Sequence, residues 1–231
     1  MPRRDNAIYH LAAGLARLAA FDFPVRFFDV TRSQFERSAA LNPGQTGDDM
    51  KAVLMNPNNQ AAVDRLAQTP LFNALMRTTC VATMLNAGHA ENALPQTATA
   101  TVNCRLLPGD DPAAVQHMLE SALNDPAIKV TQMAPPKVSK FTPMNALVLD
   151  AITSATHNLW PGLPVIPVMT TGASDGVYLN VAGIPTYGVS GIFTDRDDVR
   201  AHGRDERILV KSFYEAIPFF YDLAARLGRS Q

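Results

Sequence analysis

The sequence predicts an antiparallel α+β unit followed by an incomplete α/β segment, on three observations. Residues 97–106 alternate strictly: Ala98, Ala100, Val102, Cys104 and Leu106 face one side, and Thr97, Thr99, Thr101, Asn103 and Arg105 face the other. Residues 1–133 read in the order helix, insertion, strand, strand, helix, strand. That is a ferredoxin-like βαββαβ unit, its antiparallel sheet lacking the first strand. The remaining residues read as three helices and only two strands, too few to close an α/β layer.

Each element has a local reason. Residues 5–20 are helical, with Asp5 as the expected N-cap and Ile8, Leu11, Ala12, Leu15, Leu18 and Ala19 on one stripe. Residues 23–30 read as a short strand. Residues 31–76 read as an insertion of two or three short helices, broken at Asn42-Pro43-Gly44 and Asn56-Pro57-Asn58-Asn59. Residues 78–86 are β-branched and apolar, hence strand. After the alternating strand, Pro108-Gly109 turns the chain, Asp111 caps a helix with Pro112 at its first position, and that helix ends near Leu123. Residues 127–133 are expected to return as a strand. Residues 134–143, with three prolines, are a linker. Beyond it come a helix at 144–159, strands at 164–169 and 185–189, a short helix at 174–182, and a long helix at 206–228. That last helix is expected to bury Leu209, Phe213, Ala216, Ile217, Phe220, Leu223 and Ala224, and to kink at Pro218.

Composition excludes several classes. Of 231 residues, 47% are hydrophobic and 18% charged, which is ordinary for a globular chain. A net charge of −1 leaves no electrostatic footprint for nucleic acid or an anionic membrane surface. Cys80 and Cys104 are too few for a disulfide framework. They read as buried inert thiols, with a cross-strand disulfide as the minor alternative. No apolar leader follows Met1-Pro2-Arg3-Arg4, so the chain as written is expected in the cytoplasm.

Three stretches carry candidate chemistry. His202 lies in a segment where nine of the thirteen residues 195–207 are charged. An imidazole among carboxylates suits a metal ligand, and a solvated loop is the alternative. Gly172-Ala173-Ser174-Asp175-Gly176 has the G-x-S-x-G form of a nucleophile elbow, and Asp197 or Asp198 and then His202 follow in serine-hydrolase order. Too few strands precede Ser174 to display an elbow, so the favoured reading is a turn in which Gly172, Ala173 and Ser174 offer donors to a substrate carboxylate. Arg105, at the end of its strand, and Asn92, in the preceding loop, are polar groups that suit carboxylate recognition or a plain surface position.

Four stretches in order extend this reading: Pro2 to Ile8; Glu91-Asn92-Ala93-Leu94-Pro95 with Val102 to Gly109; Gly172 to Asp175 with Gly183-Ile184-Pro185-Thr186; and Ala201 to Glu206. Together they resemble the di-zinc exopeptidase and deacylase family of glutamate carboxypeptidase, succinyl-diaminopimelate desuccinylase, aminoacylase and carnosinase. The resemblance implies a lid and dimerisation domain at residues 1–134 and, at 135–231, a C-terminal segment of the catalytic domain. It implies that His202 is a ligand of one zinc. It implies that Arg105 and Asn92 reach across a homodimer to the substrate, and that Gly172, Ala173 and Ser174 hold the substrate carboxylate. The substrate would be a dipeptide or N-acyl amino acid cut at an amide next to a free carboxylate. The family's H-x-D-x-P motif, bridging Asp and Glu-Glu pair are absent from this sequence. The expectation is therefore a C-terminal part of such a hydrolase, inactive alone because one His cannot supply about three ligands and a base. The alternatives are a serine hydrolase using Ser174, Asp198 and His202, and a non-catalytic dimerisation module.

Overall fold

A computed structural model describes residues 3–136, 138, 140–195, 198 and 200–229. The chain divides into two compact units. One comprises residues 1–141 and 168–184, the other 142–167 and 185–231.

In the first unit, α1 (Ala7–Ala19) is followed by four helices, α2 (Asp29–Leu41), α3 (Gln45–Met55), α4 (Gln60–Ala67) and α5 (Pro70–Met76). Four helices form where two or three were expected, because Thr69-Pro70 adds a third break to the two asparagine-proline breaks. Their apolar faces build a core of Phe35, Met50, Val53, Leu66, Leu75 and Met76. Asp49, 3% exposed in that helical layer, is held by Arg65 through Nε at 2.8 Å and Nη2 at 2.6 Å, joining α3 to α4.

The sheet consists of β1 (Thr79–Ala87) and β2 (Ala98–Arg105), antiparallel, with Cys80 opposite Cys104 and a register shift between Ala82 and Met84. As the alternation predicted, Val102, Cys104 and Leu106 turn inward. They join Leu18 of α1 and Val115, Leu119 and Leu123 of α6 (Pro112–Leu123) in a second core. The Asp111 side chain accepts from Ala113 N–H at 3.1 Å, and Pro112 sits in the first turn, as expected. The N-cap of α1 is Asn6 instead of Asp5: Asn6 Oδ1 accepts from Ile8 and Tyr9 N–H at 3.0 and 3.2 Å, while Asp5 is drawn to His10.

Two expected strands of this unit do not form. Residues 23–28 carry no ladder and pack as a strap, with Phe23 buried and Val25 and Phe27 against the helical core. Residues 127–133 carry no ladder, although Ile128 and Val130 pack on the second core. In a βαββαβ unit the last strand takes its hydrogen bonds from the first, and the described residues contain no such strand. The cysteines also depart from expectation: Cys80 and Cys104 are disulfide-bonded, because the register sets them face to face with Cα atoms 4.1 Å apart.

The second unit is helical. Its α7 (Ala146–Leu159) packs on α9 (Val210–Arg229) around Ala155, Phe219 and Leu223, with Trp160 and Val189 at the margin. The helix α8 (Gly176–Val181) belongs to the first unit. The strands expected at 164–169 and 185–189 are absent. Met169 spends its N–H on Gln34 Oε1 at 3.1 Å, and Tyr187 donates its hydroxyl to the Pro143 carbonyl at 2.8 Å. The buried stripe of α9 is Ser212, Ala216, Phe219 and Leu223, so Phe213, Ile217 and Phe220 lie exposed where burial was expected. The helix runs unbroken across Pro218.

Candidate functional site

Arg105 is the last residue of β2, held in place by pairing of that strand with Thr79 of β1. Its Nη1 donates to the Thr171 carbonyl at 3.4 Å. The contact brings the strand-end arginine beside the turn that leads into Gly172, Ala173 and Ser174, all within the first unit. These three residues are exposed. Gly172 N–H is turned inward onto Thr170 Oγ1 at 3.3 Å, and the Ser174 carbonyl accepts from Val177 N–H at 3.3 Å. The six residues of α8 that follow are too short to give the turn much helix dipole. Asn92 is exposed in the loop between β1 and β2.

His202 lies in the second unit, exposed, with φ of 64° in the left-handed region. Its N–H donates to Glu206 Oε1 at 3.1 Å, and Gly203 N–H donates to the Arg200 carbonyl at 3.0 Å, closing a tight loop. The charges around it pair with one another. Arg200 binds both Asp198 and Asp205, and Arg207 Nε binds the second oxygen of Asp198 at 3.0 Å. The hydrogen bonds from Arg200 and then Arg207 hold the Asp198 carboxyl below the usual carboxylate range. The charges of Asp198, Arg200, Asp205 and Arg207 thus tie the loop together as much as they solvate it.

This arrangement bears on the serine-hydrolase alternative. Such a triad needs its Asp on the imidazole, whereas both Asp198 oxygens are taken by arginines. Asp197 lies outside the described residues.

The metal reading is incomplete in this chain. Among the described residues no group of three or more His, Cys, Asp or Glu is placed to hold a metal ion. The described donors do not make up a zinc site by themselves.

Sequence reasoning missed one charged cluster. His10 has Nδ1 at 2.6 Å from Asp125 Oδ2 and Nε2 at 2.9 Å from Asp5 Oδ1. The hydrogen bond to Asp125, then that to Asp5, raises the imidazole above its ordinary value. Asp125 lies 115 residues away, so no local pattern announces the pair.

Residues 2–131, more than half of the chain, match the M20 family model described as a peptidase dimerisation domain. The chain is 27% identical over 241 residues to the N-fatty-acyl-amino acid synthase/hydrolase PM20D1 of Homo sapiens, an alignment covering 100% of this chain and 46% of that protein. It is 28% identical over 163 residues to the "Probable carboxypeptidase S-like 2" of Dictyostelium discoideum, covering 68% of this chain and 31% of the relative. The chain therefore spans less than half the length of these relatives. An M20 family metallo-carboxypeptidase from Sulfolobus solfataricus shares the fold, with a TM-score of 0.54 and 18% identity over 95% of this chain and 55% of that one.

Proposed function

Because this chain belongs to the M20 peptidase family through its dimerisation domain, we propose that it is the substrate-gripping C-terminal part of a zinc-dependent exopeptidase or amidohydrolase. Residues 1–134 act as the lid and dimerisation domain, and residues 135–231 as the end of the catalytic domain. The substrate is a dipeptide or an N-acyl amino acid, cut at the amide next to its free carboxylate. The name of the human relative, an N-fatty-acyl-amino acid synthase/hydrolase, supports the N-acyl class.

The observation that carries this reading is the contact between Arg105 and the Thr171 carbonyl. It sets a guanidinium beside a turn rich in exposed small residues, which together favour a carboxylate. Arg105 supplies charge and a planar pair of donors. Ser174 adds a hydroxyl, and the glycine at 172 lets a ligand approach the backbone. Asn92 contributes an amide from the loop between β1 and β2, and the homodimer forms through this same lid domain. His202 serves as one ligand of a zinc whose other ligands and general base this chain does not supply. The group, when bound, supplies a Lewis acid and an activated water. What this chain contributes is the grip and orientation of the substrate.

The reading is tested with the purified 231-residue chain. It binds an N-acyl amino acid more tightly than the corresponding primary amide, Arg105→Ala removes that preference, and no chelator-sensitive hydrolysis of dipeptides or N-acyl amino acids is seen. Hydrolysis abolished by a chelator, or equal binding of acid and amide, overturns it.

A further inference from the structure

A cavity of about 470 Å³ lies in the first unit between α1, the strap after it and the start of β1, lined among others by Leu15, Leu18, Phe21, Arg77, Cys80 and Val81. Its size is that of a small-molecule site, which spans roughly 300–1,000 Å³. Two features set it apart from a packing gap. Cys80, one half of the disulfide, forms part of its wall, and Cys104 does not. Arg77, only 3% exposed, is also on the wall, with Nη1 2.9 Å from Asp22 and its Nε without a partner.

We propose that the Cys80–Cys104 bridge is a thiol-exchange site, entered through this cavity by a small-molecule thiol. Exchange needs an anionic sulfur to reach one disulfide sulfur in line with the bond. The cavity wall includes Cys80 and not Cys104, so a thiol entering there meets Cys80 first. The attacking thiolate bonds to Cys80 Sγ, the bond to Cys104 Sγ breaks, and Cys104 leaves with the electron pair and takes a proton from water. A second thiol molecule then attacks the small thiol's sulfur in the mixed disulfide. It releases a small-molecule disulfide and expels Cys80 as a thiolate, which takes a proton from water. Two thiol molecules are oxidised as the bridge is reduced. The consequence falls on Arg105, which follows Cys104 directly and pairs with Thr79, the neighbour of Cys80. Reduction removes the covalent tie next to the last pair of the ladder.

The test uses the folded, oxidised chain and reduced glutathione as probe, with acid quenching and mass analysis of the peptides. Mixed disulfide is expected on Cys80 in roughly ten-fold excess over Cys104, since access selects the sulfur attacked. Ala19→Trp, at the exposed rim of the cavity, is expected to slow exchange about ten-fold in the folded chain and to leave it unchanged in urea. Val81→Trp serves the same purpose from the strand side should the first variant not fold. Equal labelling of both cysteines, a preference for Cys104, or exchange at the wild-type rate in a folded rim variant overturns the proposal.

Discussion

Replacing Cys80 and Cys104 together by serine removes the covalent link between the two strands of the sheet and leaves their ladder in place. The bridge closes a loop with a sequence separation of 24. In the chain-entropy model a loop of that length restrains the unfolded chain by ~3.5 kcal/mol at 25 °C. Cys80 and Cys104 are both half-buried residues at the margin of the Leu18–Leu123 core, so the lost packing is small beside the loop term. The only tryptophan, Trp160, lies in the second unit, so fluorescence does not follow the change. Amide hydrogen exchange of β1 and β2 does. The slowest of these amides should exchange about 300-fold faster in the double variant, the factor that corresponds to ~3.5 kcal/mol. The reduced wild-type chain should match it, because it loses the same loop closure. A change below about ten-fold, or a reduced wild type that stays as protected as the oxidised one, would refute the reasoning that the bridge acts on the unfolded chain.

The other predictions concern separate parts of the molecule. Phe219 is 2% exposed, and its ring centre is 5.6 Å from that of Trp160. Phe219→Ala should destabilise the second unit by about 3–5 kcal/mol, read from Trp160 fluorescence in urea. Because the folded His10 value is raised, its pairing with Asp125 and Asp5 contributes fully below its ordinary value of 6.5 and is lost as pH rises through the raised one. Protection factors at the start of α1, exchange rates corrected for the intrinsic pH dependence, should therefore fall across that window in the wild type and stay level in His10→Gln. Asp125 has the opposite sign: its value is lowered, first by the His10 hydrogen bond, so its contribution fades as pH falls through that lowered value. A fluorophosphonate probe should leave Ser174 unlabelled, and stoichiometric labelling at Ser174 would revive the serine-hydrolase reading.

By itself the sequence determined whatever is decided within about a dozen residues. The alternation at 97–106, the Asp111-Pro112 helix start and the asparagine-proline breaks are local, and each stands in the structure where it was read. The order of motifs likewise sufficed to identify the family, because order along a chain is a sequence property. Tertiary structure decided the rest. Whether an apolar run becomes a strand depends on a ladder partner supplied from elsewhere, so residues 127–133 have strand composition and no strand. The face that α9 buries was set by where α7 lies against it, which put Phe219 inside and Phe220 outside. Register alone brought Cys80 opposite Cys104, and chain return alone brought Asp125 to His10 and Thr171 to Arg105. Such contacts join residues 24 to 115 positions apart, and no local propensity encodes a distance of that kind.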